Sequence, residues 1–109
     1  MDFKEYQKLA HTTAKYPTIG KDFIYPILGL VGEAGETANK VKKIFRDDNG
    51  EITEARKNEI AKEFGDLLWY IAECCTAFGL SLESVAIDNI EKLKKRQLEN
   101  KITGDGDNR

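Results

Sequence analysis

Apolar residues recur at helical spacing along most of the chain, and no segment shows the strict apolar–polar alternation of a half-buried strand. The helical period, the turn residues and the capping residues divide the chain into four helical segments. They are Asp2–Ala14, a second helix from Ile24 or Pro26 to Arg46, Thr53–Phe78, and a last helix that begins after Ser81. The pattern therefore predicts an all-α fold of four helices.

Each of the two long segments carries one apolar stripe, which we expect to form the core. The stripe positions of the second segment are Ile27, Leu30, Val31, Ala34, Ala38, Val41 and Phe45, and those of the third are Ile60, Phe64, Leu67, Leu68, Ile71, Cys75 and Phe78. The residues Asp47–Gly50 form the clearest turn in the sequence. Gly79 fits a helix stop, and Ser81 fits the N-cap of the last helix.

With 109 residues, the chain is long enough for one domain and too short for two. We expect a single helical domain over residues 1–102. Residues 103–109 are rich in Gly, Asp and Asn and have nothing to bury, so we expect a flexible C-terminal tail there. A domain of this size leaves much of its surface wet, and burial shared with another subunit would help it.

Composition excludes several classes of protein. The formal net charge of −2 argues against broad nucleic-acid binding, which requires a basic surface. The longest uncharged stretch, residues 23–32, is too short to span a bilayer, and no basic-then-apolar leader opens the chain. Cys74 and Cys75 are helical neighbours that point about 100° apart, which favours free buried thiols over a disulfide. We expect a cytoplasmic protein that binds neither nucleic acid nor membrane.

Four acidic residues differ from the rest of the surface charge. Glu33 and Glu36 are three residues apart, and so are Glu63 and Asp66, so each pair shares one helical face. Most acid pairs at this spacing are plain surface charge. These two pairs instead border the apolar stripes, and on the third helix the bordering stripe consists of Glu59, Glu63, Asp66, Tyr70 and Glu73.

Three glycines surround the first acid pair at a spacing of three: Gly29, Gly32 and Gly35. In a helix interior each glycine costs about 1 kcal/mol relative to alanine. This cost predicts that a ligand or another helix approaches this backbone closely.

If the two long helices pack antiparallel, the two acid pairs can meet at one edge. Four partly desolvated carboxylates repel one another, and a hard divalent cation relieves that repulsion. Magnesium prefers carboxylate oxygens and keeps positions open for water and phosphate. Because neither motif contains histidine, the oxygen-only set favours Mg²⁺ or Mn²⁺ over zinc or a paired-iron site.

The motifs resemble those of MazG-like nucleotide pyrophosphohydrolases, in the all-α NTP pyrophosphatase superfamily. Glu-Ala-Gly-Glu at 33–36 and Glu-Phe-Gly-Asp at 63–66 are similar to the paired acidic signature of that family. Asn-Ile-Glu-Lys-Leu-Lys-Lys-Arg at 89–96 is similar to its last helix, and Gly-Asp-Gly-Asp-Asn-Arg at 104–109 resembles the tail of some compact members.

The resemblance implies an all-α NTP pyrophosphatase fold whose helices associate in a homodimer or homotetramer. It implies magnesium binding through Glu33, Glu36, Glu63 and Asp66. It also implies hydrolysis of a nucleoside triphosphate, often a deoxy or non-standard one, to the monophosphate and pyrophosphate. Glu36 and Glu63 are then the candidate catalytic residues, with Glu36 accepting the proton of the attacking water.

By the same resemblance, five residues are candidates for substrate contacts: Lys40, Tyr70, Asn89, Lys92 and Arg96. The residues alone leave simpler interpretations open. Lys40 has the spacing of a surface ion pair with Glu36, and Tyr70 suits packing as well as base or sugar contact. Lys92 and Arg96 also suit a solvated helix end.

Three other functions stay open at this point. A helical module could bind a nucleotide or a partner protein without turnover, and it would release no pyrophosphate. A purely structural four-helix bundle would leave the acids exposed and indifferent to metal. The enzymatic alternative is a phosphoribosyl-ATP pyrophosphohydrolase, which a panel of substrates would distinguish.

Overall fold

The protein forms four α-helices in a computed structural model that describes residues 1–107. They are α1 (Phe3–Thr12), α2 (Ile24–Asp47), α3 (Glu54–Ala77) and α4 (Leu82–Leu98). No strand occurs within residues 1–107, where a single isolated bridge joins Ile19 and Lys21. The predicted all-α class is confirmed, and the helix bounds follow the predicted ones closely.

Three of the helices are preceded by an N-cap residue whose side chain accepts a hydrogen bond from a backbone N–H of the first turn. The N-caps are Asp2 for α1, Thr53 for α3 and Ser81 for α4. Each caps a backbone N–H that would otherwise lack a partner in the first turn. The predicted N-cap at Ser81 is confirmed, because its Oγ accepts from the Ser84 amide at 3.2 Å.

The longest helices, α2 and α3, form an antiparallel hairpin of 24 residues each. The predicted turn between them is confirmed: Asn49 and Gly50 adopt φ of 55° and 79°, the left-handed region that suits these residue types. Arg56 at the start of α3 stabilises the turn through an ion pair, with Nε 2.8 Å from an Asp48 carboxylate oxygen. This hairpin fixes which residues of α2 face which residues of α3.

At its far end, α3 packs against α1 and α4. The small core there contains Ala10, Ala72, Cys75 and Leu82, with Tyr6, Leu68 and Trp69 packed against it. Gln7 links three elements, because its amide donates to Thr76 Oγ1 and the Leu80 carbonyl, and accepts from the Leu82 amide. Within residues 1–107, α2 packs against α3 but against neither α1 nor α4.

The apolar stripe of α2 does not form the core of the single chain, so that prediction is wrong. Val31 is 66% exposed and Phe45 is 70% exposed, and Phe64 on α3 is 56% exposed. The physical reason is that α2 has one helical neighbour, which covers only part of its apolar width. The radius of gyration, 16.9 Å, correspondingly exceeds the roughly 13 Å of a compact domain of about 100 residues.

Among the described residues, no single helix is both long and apolar enough to cross a bilayer; α3 and α4 meet the length and composition requirements only as one pair bent by 103°.

Cys74 and Cys75 are both buried free thiols, as the sequence predicted. Burial raises the pKa of each thiol, and the neighbouring Cys75 adds to the rise at Cys74. A raised pKa disfavours the reactive thiolate, so both side chains act as packing groups.

Candidate metal centre

Three acids from the two long helices meet at one edge of the hairpin. Carboxylate oxygens of Glu33, Glu63 and Asp66 all lie within 4.8 Å of one another. The antiparallel course of α2 and α3 brings Glu33 opposite the acids of α3, and the helical period keeps Glu63 and Asp66 on one face. Glu33 and Glu63 are half-buried, whereas Asp66 is exposed. The structure thus brings together three of the four acids singled out in the sequence.

Like charge dominates this acid cluster, formed by Glu33, Glu63 and Asp66. The pKa of Glu33 is raised, first by burial, then by its hydrogen bond with Glu63 and by the charges of Asp66 and Glu63. Within residues 1–107, none of the three acids makes an ion pair with a cationic side chain. Converging carboxylates without a counter-ion fit a hard divalent cation with oxygen ligands.

Glu36, the fourth acid, lies outside the cluster. It is exposed one helical turn beyond Glu33, and its charge makes the smallest contribution to the raised pKa of Glu33. Lys40 follows one turn later and is half-buried. The surface ion pair between Glu36 and Lys40 is not formed in the part of the chain that the structure describes.

The glycines of α2 differ in what lies beside them. A Cβ atom built on Gly29 would lie 2.7 Å from Cδ1 of Tyr70 and closer still to two other ring atoms. The predicted close approach at Gly29 is therefore confirmed, and the approaching group is an aromatic side chain of α3. Beside Gly32 and Gly35 no other atom of residues 1–107, apart from the adjoining chain of α2, approaches within 4 Å of the added Cβ.

Tyr70 combines packing with proximity to the acids. Its ring meets Trp69 edge-on, with centroids 5.0 Å apart. Its pKa is raised by burial and, to a lesser extent, by the charges of Tyr25, Glu33 and Asp66. The side chain thus packs on the hairpin and also borders the acid cluster.

The three candidate residues of α4 lie apart from the acid cluster of the same chain. Asn89 is exposed, Lys92 is half-buried and Arg96 is only 5% exposed. Since α4 does not pack against α2 within the described residues, it brings no cation to Glu33. Lys92 and Arg96 are bound to Asp107 instead.

Tyr6 on α1 is influenced by the acids, which nothing in the sequence indicated. Burial raises its pKa, and the charge of Asp66 adds to the rise, which places α1 beside this edge of the hairpin. The helical period of α1 carries no signal for the proximity of Tyr6 to Asp66. That proximity depends on how α1 docks on α3.

An antiparallel helical pair that gathers acids from an E-x-x-E and an E-x-x-D motif defines a class of all-α proteins suited to binding a divalent cation. A family model described as the MazG nucleotide pyrophosphohydrolase domain matches residues 26–99. The chain belongs to this family, and the resemblance stated from its motifs is confirmed. The match includes all of α3 and both acidic motifs.

Two relatives are similar over much of the chain. The Gene 37 protein of Mycobacterium phage L5 is 43% identical in an alignment of 109 residues that covers 95% of this chain and 96% of the phage protein. The uncharacterized protein YvdC of Bacillus subtilis (strain 168) is 40% identical in an alignment of 72 residues that covers 62% of this chain and 68% of YvdC. No solved structure matches the chain significantly.

Proposed function

We propose that this protein hydrolyses a nucleoside triphosphate to the monophosphate and pyrophosphate in a magnesium-dependent reaction. A deoxynucleoside or non-standard triphosphate is the proposed substrate. The observation that carries the proposal is the convergence of Glu33, Glu63 and Asp66 within 4.8 Å, in a chain of the nucleotide pyrophosphohydrolase family.

Glu33, Glu63 and Asp66 are the proposed ligands of Mg²⁺ or Mn²⁺, with Glu36 as a fourth acid at the edge of the site. Their oxygen donors suit a hard cation, and their mutual repulsion favours binding one. Once bound, such an ion offsets negative charge on the phosphates and lowers the pKa of a water molecule.

The protein's own side chains supply the remaining steps. Glu36 is exposed and outside the three-acid group, so its oxygens are available to accept the proton of the attacking water. Tyr70 borders the acids and offers a ring to the sugar or base. The phosphates are held by the amide and cationic groups of Asn89, Lys92, Arg96 and Lys40.

A second copy of the chain is the proposed partner, in a homodimer or homotetramer. Large apolar side chains of the hairpin stand exposed: Ile27, Leu28, Val31, Val41, Phe45, Phe64 and Ile71. An exposed apolar face of this kind is typical of a protein interface. Assembly also supports the chemistry, because α4 does not pack against α2 within residues 1–107, so the α4 cations of the same chain do not reach Glu33. Free buried cysteines support a reducing, cytoplasmic location.

The first experiment measures pyrophosphate release from a panel of ribo-, deoxyribo- and non-standard nucleoside triphosphates with Mg²⁺. The wild-type protein should form equal amounts of monophosphate and pyrophosphate. Glu63→Gln should lower the rate about 100-fold or more, because it removes a carboxylate ligand and the partner of Glu33. Glu59→Gln, one turn earlier on α3 and paired with Arg56, is the matched control and should stay active.

The outcomes separate the alternatives. Equal activity of the wild type and Glu63→Gln would contradict the assigned site. Nucleotide binding without pyrophosphate release would indicate a non-catalytic binding module. Turnover of phosphoribosyl-ATP in preference to every triphosphate would indicate the rival hydrolase.

The oligomer is tested by sedimentation equilibrium of the full chain. The wild type should sediment as a dimer or tetramer, and Val31→Glu should dissociate it, because a charge buried without a partner is costly. Leu98→Glu is the control, since Leu98 is 89% exposed at the end of α4. A monomeric wild type, or equal effects of the two substitutions, would contradict an interface on the hairpin.

A further inference from the structure

The segment after α4 turns back and runs along the helix that precedes it. Asn100 has a φ of 60°, and the Lys101 amide donates to the Arg96 carbonyl at 2.7 Å, a typical left-handed helix end. Gly106 also has a positive φ, 75°. The two reversals bring Asp107 beside the last turns of α4. Asn108 and Arg109 lie outside the described residues, and the predicted flexibility of residues 103–109 stays a prediction.

Asp107 binds the two cations of α4 that were predicted to hold phosphates. Lys92 Nζ donates to Asp107 Oδ1 at 3.0 Å, and Arg96 Nη2 lies 3.2 Å from the same oxygen. Arg96 Nη2 also donates to the Asp107 main-chain carbonyl at 2.7 Å. These cations lower the pKa of the Asp107 carboxyl, with Lys92 contributing most.

Arg96 is an unusual cation in this chain, because it is buried while its counter-ion is not. Arg96 is 5% exposed, whereas the side chain of Asp107 is 80% exposed. Buried charges are normally fixed by partners that are themselves buried and fully hydrogen-bonded. Here the Nε atom of Arg96 has no hydrogen-bond partner among the described residues, so the guanidinium group retains a donor for another acceptor.

Lys92 and Arg96 are four residues apart, so they present two cations on one helical face. Within residues 1–107, Asp107 supplies the carboxylate that pairs with each of them. A single carboxylate oxygen between an ammonium and a guanidinium group has the charge and the hydrogen-bonding geometry of a phosphate oxygen at the same place.

We propose that Asp107 is an internal substitute for a substrate phosphate, so that the tail closes the Lys92–Arg96 anion site until a polyphosphate displaces it. The identity of that polyphosphate as a nucleoside triphosphate rests on the proposed function. The tail then competes with the polyphosphate from within the same chain. The apparent affinity for polyphosphate is the intrinsic affinity multiplied by the fraction of molecules in which the tail is released.

The proposal is tested by calorimetric titration of the full chain with inorganic tripolyphosphate in the presence of EDTA. Asp107→Asn should bind tripolyphosphate about fivefold more tightly than the wild type, because a neutral amide competes poorly for two cations. Asp105→Asn removes the same charge two residues earlier and should bind within about twofold of the wild type. Adding Lys92→Gln to Asp107→Asn should abolish the gain.

A second measurement follows the tail itself. In proton–nitrogen correlation spectra of the wild type, tripolyphosphate should move the amide signals of Gly104 and Gly106 to the positions they have in Asp107→Asn. Equal or weaker binding by Asp107→Asn, equal gains for the two Asp→Asn variants, or tail signals that do not move would overturn the proposal. Because no hydrolysis is measured, failure here leaves the proposed function standing, and an inactive protein can still show the gain.

Discussion

Two groups of carboxylates on α3 come from the same sequence stripe and end in opposite environments. Glu63 and Asp66 meet Glu33 among like charges, with no cationic partner in the described chain. Glu73, two turns further along, is completely buried. The Tyr16 hydroxyl donates to Glu73 at 2.8 Å, and His11 Nδ1 lies 3.2 Å from the same carboxylate.

The difference in hydrogen-bonding partners distinguishes an acid that stabilises the fold from acids that do not. Glu73 receives partners from α1 and from the connection after it, and burial together with the Glu73 hydrogen bond raises the pKa of Tyr16. Within the part of the chain that the structure describes, the acid cluster receives no such partners, although Glu33 and Glu63 are half-buried. A satisfied carboxylate indicates a structural role, while an unsatisfied group of carboxylates indicates a site for an external cation.

Removing Glu73 should produce the largest change in stability. Glu73→Ala leaves a cavity and removes the acceptor of the Tyr16 hydroxyl, which together should cost about 3 kcal/mol of unfolding free energy. Glu73→Gln should cost less, because the amide keeps the volume and one acceptor oxygen. Urea unfolding at neutral pH, in EDTA, measures both variants.

The matched comparison is Glu63→Ala, on the same helix and under the same conditions. Because this substitution relieves repulsion in the cluster, the metal-free protein should lose little stability or gain some. Equal losses for Glu63→Ala and Glu73→Ala would show that the two environments do not differ energetically in the way the structure indicates.

The sequence predicted local structure well because local structure depends on residues near one another in the chain. The period placed four helices, and Asn49 and Gly50 marked the turn that both adopt with positive φ. The three-residue spacing together with an antiparallel hairpin was also enough to bring Glu33 to Glu63 and Asp66. These features need no knowledge of distant packing.

The burial of Glu73 and of Arg96 could not be predicted in the same way. Helical spacing placed Glu73 in one stripe with Glu63, and nothing in the period showed that Tyr16 would reach it from an irregular connection. Arg96 looked like a solvated cation at a helix end, but it is 5% exposed and donates to the main-chain carbonyl of Asp107 in the returning tail. Both depend on where a segment without periodicity runs.

The apolar stripe of α2 shows a third limit of sequence reasoning. The period identified Val31 and Phe45 as residues that need a neighbour, and both stand exposed in the single chain. A hydrophobic pattern indicates that a face will be covered but not whether the cover belongs to the same chain. The proposed oligomer assigns that cover to a second copy.

The smallest expected effect is the pH dependence of the metal-free protein, and it concerns Glu33. Its pKa is raised above the ordinary value of 4.5, so the folded protein binds this proton more tightly than the unfolded chain does. Stability should therefore fall as the pH rises from about 4.5 through the raised pKa. Glu33→Gln removes the titrating group, so its urea midpoint in EDTA should fall less over the same range.

Glu91→Gln, which removes an exposed acid of α4, should keep the wild-type slope of stability against pH, since it leaves the cluster intact.

The response to Mg²⁺ tests whether the repulsion at Glu33 is what a bound cation relieves. A cation that binds only the folded state stabilises it, so Mg²⁺ at neutral pH should raise the unfolding midpoint of the wild type more than that of Glu33→Gln. Parallel pH profiles for those two proteins, with equal responses to Mg²⁺, would mean that the repulsion at Glu33 is not what a bound cation relieves.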